Sequence, residues 1–127
     1  MHAHTPEEVH SLWSQAFAAG DVRALLALYE PGAVLAPSPA EPHAGPEAIR
    51  AVLEGFLGLR PTFEMAPPRV VRAGDVALLF ADWHLDGTAQ DGSPVHMEGT
   101  TADVVRRCPD GAWRMVIDTP FGGARAT

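Results

Sequence analysis

The sequence predicts an α+β domain in which three helices near the N-terminus precede a run of antiparallel strands. Three observations predict it. Apolar residues recur at helical spacing up to about residue 59 and alternate afterwards. The two kinds of segment are segregated rather than interleaved, which argues against a parallel βαβ sheet. Two glycine-containing turns, "AQDGS" and "CPDGA", join the later apolar runs as hairpins.

The elements follow in order. "TPEEVHSLWSQAFAAG" is a helix: Thr5 is a fitting N-cap, Pro6 takes the first helical position and Glu8 closes a capping box. Val9, Leu12, Trp13, Ala16 and Phe17 make its apolar stripe, and Gly20 ends it. Asp21 caps a second helix, "VRALLALYE", which stops before Pro31. "GAVLAP" is a short extended piece, and "PSPAEPHAGP" is an irregular loop. Gly45 and Pro46 open a third helix, "EAIRAVLEGFLGL", with Ile49, Val52, Leu53 and Phe56 facing inward. "TFEMAPPRVVRAG" is a strand broken at Pro67 and Pro68; "DVALLFADWHLDG", "PVHMEGTTADVVRR" and "AWRMVIDTPF" complete the meander.

The length of 127 residues fits one domain, residues 1–127, with a core and a modest cavity. The net charge is −7, and every cationic side chain is Arg. An acidic domain repels phosphate backbones, so nucleic acid is not an expected partner. No run of about 18 apolar residues occurs, so no membrane partner is expected. "MHAHTPEEVH" lacks the basic and apolar regions of a secretory leader. Together with the single Cys108, this points to the cytoplasm.

Over nearly its whole length the chain resembles a known group. "AFAAGDVRALLALYEPGAVLAP" and "AGPEAIRAVLEGFL" are similar to the N-terminal half of SnoaL-like and ketosteroid-isomerase-like proteins of the nuclear transport factor 2-like superfamily. "GDVALLFADWHLDGT", "GTTADVVRR" and "DGAWRMVIDTPFG" resemble its YybH-type, SgcJ/EcaC-type branch. The resemblance implies a cone: a curved antiparallel sheet wrapped around three helices and enclosing a cavity. It implies a small-molecule ligand and, if the protein is an enzyme, isomerase-, cyclase- or lyase-like acid–base catalysis without a cofactor. A non-catalytic ligand-binding or dimerisation module is the other class the fold hosts. Two positions depart from the isomerase pattern. Trp13 stands where the oxyanion-hole tyrosine belongs, and Pro37 stands where the general-base aspartate belongs. Proline cannot act as a base, so steroid isomerisation of the usual kind is not expected.

The hairpin turns set the register of the late strands. A turn at Ala89–Gly92 pairs Trp83 with Gly99, Ala81 with Thr101, Leu79 with Asp103, His84 with Glu98 and Asp86 with His96. The last hairpin pairs Asp103 with Ile117 and Thr101 with Thr119. Alternation then puts Leu79, Ala81, Trp83, Met97, Thr101, Asp103, Val105, Ile117 and Thr119 on one face. The resemblance turns that face toward the helices. Asp103 becomes the candidate catalytic carboxylate, either a buried acid of raised pKa or a structural anion paired with an Arg such as Arg107 or with a backbone N–H. Trp13, Phe17, Tyr29, Phe56, Leu79, Trp83, Thr101, Ile117 and Thr119 are the candidate ligand-binding residues.

Asp118 in "VIDTP" resembles the carboxylates that SnoaL-type cyclases carry near their last strands, but parity sends it to the opposite face unless a bulge flips it, which makes it structural. That face also carries Leu78, Phe80, Val104 and Val116, apolar enough to predict a homodimer through the outer sheet. Asp82, His84, His96 and Glu98 read as a solvated or subunit-facing patch rather than a metal site, since their spacing is not a zinc signature. His2, His4 and His10 read as mobile surface groups. Cys108 lies in a turn with no local base and is no nucleophile.

Overall fold

The computed structural model describes residues 2–123. Helices α1 (Pro6–Ala18), α2 (Val22–Leu26) and α3 (Pro46–Leu57) cover one face of a curved sheet. Its strands are β1 (Tyr29–Leu35), β2 (His43–Ala44), β3 (Thr62–Met65), β4 (Arg69–Ala73), β5 (Val76–Thr88), β6 (Pro94–Arg107) and β7 (Trp113–Thr119). Their order is β2-β1-β7-β6-β5-β3, with β4 sharing the β5 edge with β3. The expected α+β architecture stands, with one correction: the sheet is mixed, because β1 pairs with β7 in parallel.

Local chemistry accounts for the elements. Thr5 caps α1 by accepting the Glu8 N–H at 3.3 Å. The Glu8 carboxylate accepts from His4 N–H at 2.6 Å, one residue before the position a capping box would use. Asp21 caps α2 by accepting the Ala24 N–H at 3.0 Å. α2 is shorter than its apolar pattern implies, and Tyr29 opens β1 instead of closing the helix. Pro31 disfavours helical geometry at Glu30 and cannot donate a helical hydrogen bond. The chain pairs with β7 at this point, with Met115 N–H donating to Leu28 C=O at 2.7 Å. Pro67 and Pro68 break the next extended run into β3 and β4, which lie end to end along β5.

The β5–β6 register is the one the turn sets: Trp83 faces Gly99, Ala81 faces Thr101 and Leu79 faces Asp103. In the last hairpin the expected register holds only near the turn, where Val105 faces Met115. A bulge then leaves Val116 without a partner, so Val104 faces Ile117 and Asp103 faces Asp118. One extra residue reverses the parity of everything beyond it. Asp118, expected on the outer face, is buried, and Ile117, expected inside, is 40% exposed. Thr119 is half-buried.

The inner face packs Leu79, Ala81, Trp83, Val105 and Met115 against Val9, Phe17, Ile49 and Leu53 of the helices. The outer face divides in two. Val71, Leu78, Val104 and Ile117 form one apolar row across β4, β5, β6 and β7. The other half is polar: His96 Nδ1 lies 2.7 Å from Asp86, His84 lies 3.3 Å from Glu64, and Thr100 donates to Asp82 at 2.8 Å. Arg107 pairs with Asp75, not with Asp103.

The bulge yields a direct prediction. Deleting Val116 should give an unbulged ladder in which Met115, Ile117 and Asp118 still face Val105, Val104 and Asp103, so that Asp118 stays inward and keeps the Tyr29 hydroxyl. The variant should therefore lose no more than about 1 kcal/mol in urea melts, less than the roughly 1–3 kcal/mol expected of Asp118→Ala, which orphans that hydroxyl. A deletion variant destabilised as much as Asp118→Ala would contradict this reading.

Candidate functional site

The site begins with an aromatic wall. Trp13 and Phe17 are one helical turn apart on α1, so they meet on one face and stack at 4.8 Å with an 11° interplanar angle. Phe63 of β3 closes against them at 5.3 and 5.2 Å, and Trp83 of β5 lies 6.0 Å from Phe63. The Trp83 indole N–H donates to Pro120 C=O at 2.7 Å, and Phe121 covers its other side at 5.3 Å. These rings border a cavity of about 60 Å³. That is room for a few waters or a ligand of a few heavy atoms.

The floor of the cavity is polar and buried. Asp103 on β6 meets His10 Nε2 through Oδ2 at 2.6 Å. Its Oδ1 accepts the Thr101 hydroxyl at 2.7 Å and the Thr119 backbone N–H at 3.3 Å. Asp118 on β7 accepts the Tyr29 hydroxyl at 2.6 Å, and that hydroxyl accepts the Trp13 indole N–H at 3.0 Å. The two carboxyl-bearing residues sit directly opposite each other across β6 and β7. Both line the cavity, and no Arg is among the described residues that do.

Burial sets the protonation of this cluster. It pushes Asp103 up to about 6, against the pull of Asp118, Thr101 and Thr119. Asp118 is raised well above the usual carboxylate range, first by burial and then by the charge on Asp103. Tyr29 is also raised, by burial and then by Asp118, and stays a phenol. Burial lowers His10 to about 4, against a smaller opposing effect of the neighbouring Asp118 carboxyl. The geometry agrees. His10 Nδ1 is buried and has no partner. A proton there would be an orphaned donor, so the ring is neutral and carries its proton on Nε2, facing Asp103. The directions favour the proton on Asp118 and the negative charge on Asp103.

The predicted site residues divide accordingly. Trp13, Phe17, Phe56, Trp83, Thr101 and Asp103 line the cavity. Tyr29 lies behind it and reaches it through Asp118. Leu79 is wholly buried in the core, Ile117 points outward, and Thr119 contributes its backbone N–H to Asp103. Of the readings of Asp103, pairing with Arg107 does not occur, since Arg107 pairs with Asp75, whereas a backbone N–H, that of Thr119, does reach it, and burial raises its pKa.

His10 is the main correction: expected at the surface, it is 2% exposed and belongs to the floor. Its spacing from Pro6, Trp13 and Phe17 already placed it on the buried stripe of α1. Asp118 is the second correction, and only the bulge explains it. Pro37 lies past the end of β1 and does not border the cavity. Cys108 is half-buried, with Sγ 3.7 Å from Glu30. Among the described residues no group of three His, Cys, Asp or Glu is placed to hold a metal ion.

Several known proteins share this fold. A conserved protein from Planctomyces limnophilus superposes with a TM-score of 0.79 at 20% identity, covering 90% of each chain. A ketosteroid isomerase-like protein from Erwinia carotovora atroseptica gives 0.75 at 18% identity over 89% of each chain. A nuclear transport factor 2-like superfamily protein from Salmonella enterica gives 0.73 at 22% identity, covering 89% of this chain and 84% of the other. No curated protein matches the sequence significantly. Among the described residues, no helix is long and apolar enough to cross a membrane. The SnoaL-like domain model matches residues 10–116, and the chain belongs to that family.

Proposed function

We propose that this SnoaL-like protein binds a small, apolar-bodied, oxygen-bearing metabolite and transfers a proton on it, as an isomerase or cyclase does. The observation that carries the reading is the buried carboxyl pair under the aromatic cavity. Two like acids forced together divide into a base and an acid. Asp103 is the carboxylate that accepts a proton from carbon. Asp118 is the carboxylic acid that hydrogen-bonds to, or protonates, the ligand oxygen. Proton transfer between them closes the cycle. Tyr29 and Trp13 hold Asp118 in place, and His10 and Thr101 hold Asp103.

Hydrogen–deuterium exchange at the α-carbon of a small cyclic ketone in D2O tests this reading. The wild type should accelerate exchange, and Asp103→Asn should lower the acceleration by about a hundredfold or more, the usual contribution of a positioned general base. Binding of the ketone without any acceleration would instead support a non-catalytic ligand-binding module.

The same groups make opposite contributions to stability with pH. Asp103 has a folded pKa above its unfolded value. Its contribution is present below about pH 4 and is lost as pH rises through about 6. His10 has a folded pKa below its unfolded value, so its contribution is lost as pH falls from about 6.5 to about 4. The stability of wild type relative to Asp103→Asn should therefore decline between pH 4 and 6, by up to about 1.4 kcal/mol per pH unit. Relative to His10→Gln it should rise over the same range. Denaturant melts at pH 4, 5, 6 and 7 measure both slopes, and matching signs for the two variants would refute the assignment.

We also propose that the apolar row Val71, Leu78, Val104 and Ile117 is covered by the same row of a second copy, giving an isologous homodimer. Support comes from the exposure of Val71 at 62%, Ile117 at 40% and Leu78 at 38% on one continuous surface. Light scattering at micromolar concentration should give a dimer mass. Leu78→Asp, which puts a charge in that row between Val71 and Val104, should give a monomer. A monomeric wild type would end the proposal.

A further inference from the structure

The cavity combines two features that recognise positive charge, and none that recognises negative charge. Its walls include four rings, Trp13, Phe17, Phe63 and Trp83, with successive neighbours 4.8 to 6.0 Å apart. Ring faces carry negative quadrupole density and attract cations, most strongly where water is excluded. Its floor holds the Asp103 carboxylate, buried and without a cationic partner. The groups facing it are His10 from α1, Thr101 from its own strand β6, and Asp118 and the Thr119 N–H from β7, with Tyr29 of β1 behind Asp118. Each is a neutral donor.

A buried charge met only by neutral dipoles is costly, and a counter-charge in the adjacent cavity would offset that cost. The histidine beside Asp103 supplies no such counter-charge: its side chain is 3% exposed and burial lowers its pKa to about 4.

We infer that the metabolite is itself a cation: its apolar body carries a protonated or quaternary amine that lies against the wall formed by Trp13, Phe17, Phe63 and Trp83 and beside Asp103. The inference rests on the reading of the cavity as a ligand site and adds the charge of the ligand to it. The ligand oxygen remains at Asp118. Anionic metabolites such as carboxylates and phosphates are excluded, because the cavity would add a second negative charge beside Asp103. The small volume limits the buried head to about the size of a trimethylammonium group, a few heavy atoms.

Three compounds of similar shape separate the possibilities: trimethylammonium, neutral tert-butanol and anionic pivalate. Calorimetric titration of the wild type with each at pH 7.5, up to about 10 mM, reads millimolar affinities. Trimethylammonium should bind at least about tenfold more tightly than tert-butanol, a difference of about 1.4 kcal/mol, and pivalate should not bind. In Asp103→Asn the preference should fall to within about threefold. If that variant does not fold, Phe63→Leu serves instead. It removes one ring face and should weaken trimethylammonium by about threefold or more while leaving tert-butanol unchanged. Equal or tighter binding of tert-butanol would overturn the cation inference and leave the oxygen-bearing ligand standing. Tighter binding of pivalate would overturn the inference as well. Failure of all three compounds to bind would overturn both this inference and the reading of the cavity as a ligand site.

Discussion

The structure is organised around two buried carboxyl groups held opposite each other at the floor of a small cavity. Asp103 and Asp118 face each other across β6 and β7, both nearly inaccessible. Two carboxylates there would repel strongly at low effective dielectric, and each would also lose its hydration. One proton between them relieves both costs. The surroundings decide which acid keeps it. Asp103 receives donors from His10, Thr101 and the Thr119 backbone, whereas Asp118 has only the Tyr29 hydroxyl besides its partner acid. The better-solvated oxygen pair carries the charge, and the other carries the proton.

Each part of the fold serves to hold that pair. α1 delivers His10 and Trp13 from one helical face, reaching Asp103 with the first and Tyr29 with the second. The parallel pairing of β1 with β7 brings the Tyr29 hydroxyl beside Asp118, which it could not reach if α2 continued to Glu30. The bulge at Val116 turns Asp118 inward. The same shift sends Ile117 to the outer face and lengthens the apolar row there. A single inserted residue thus builds the inner site and the outer surface together.

Much of this was legible in the sequence, for reasons that can be named. The β5–β6 hairpin has a short turn with glycine in a left-handed conformation, Gly92 at φ 86°, and such a turn fixes the register of everything attached to it. The turn therefore puts Asp103, Thr101 and Trp83 on one face, and the family resemblance turns that face toward the helices. The bulge was not legible. Strand parity cannot register an unpaired Val116 between apolar neighbours, and Asp118 and Ile117 were exchanged as a result. His10 was legible in principle, since its spacing put it on the apolar stripe of α1. A polar residue near a chain terminus reads as solvated until its partner is known, and that partner lies 93 residues away. The early end of α2 was signalled by Pro31, but it also depended on the competing hydrogen bonds of β7.

The account stands on the protonation of four groups, which NMR observes directly. With carboxyl-carbon and imidazole-nitrogen labels, the wild type can be titrated from pH 4 to 8. The account predicts that Asp118 keeps the shift of a carboxylic acid at pH 7, that Asp103 titrates near 6, and that His10 stays neutral as the Nε2–H tautomer above about pH 5. An imidazolium signal from His10 at pH 7, or carboxylate shifts for both aspartates there, would contradict it.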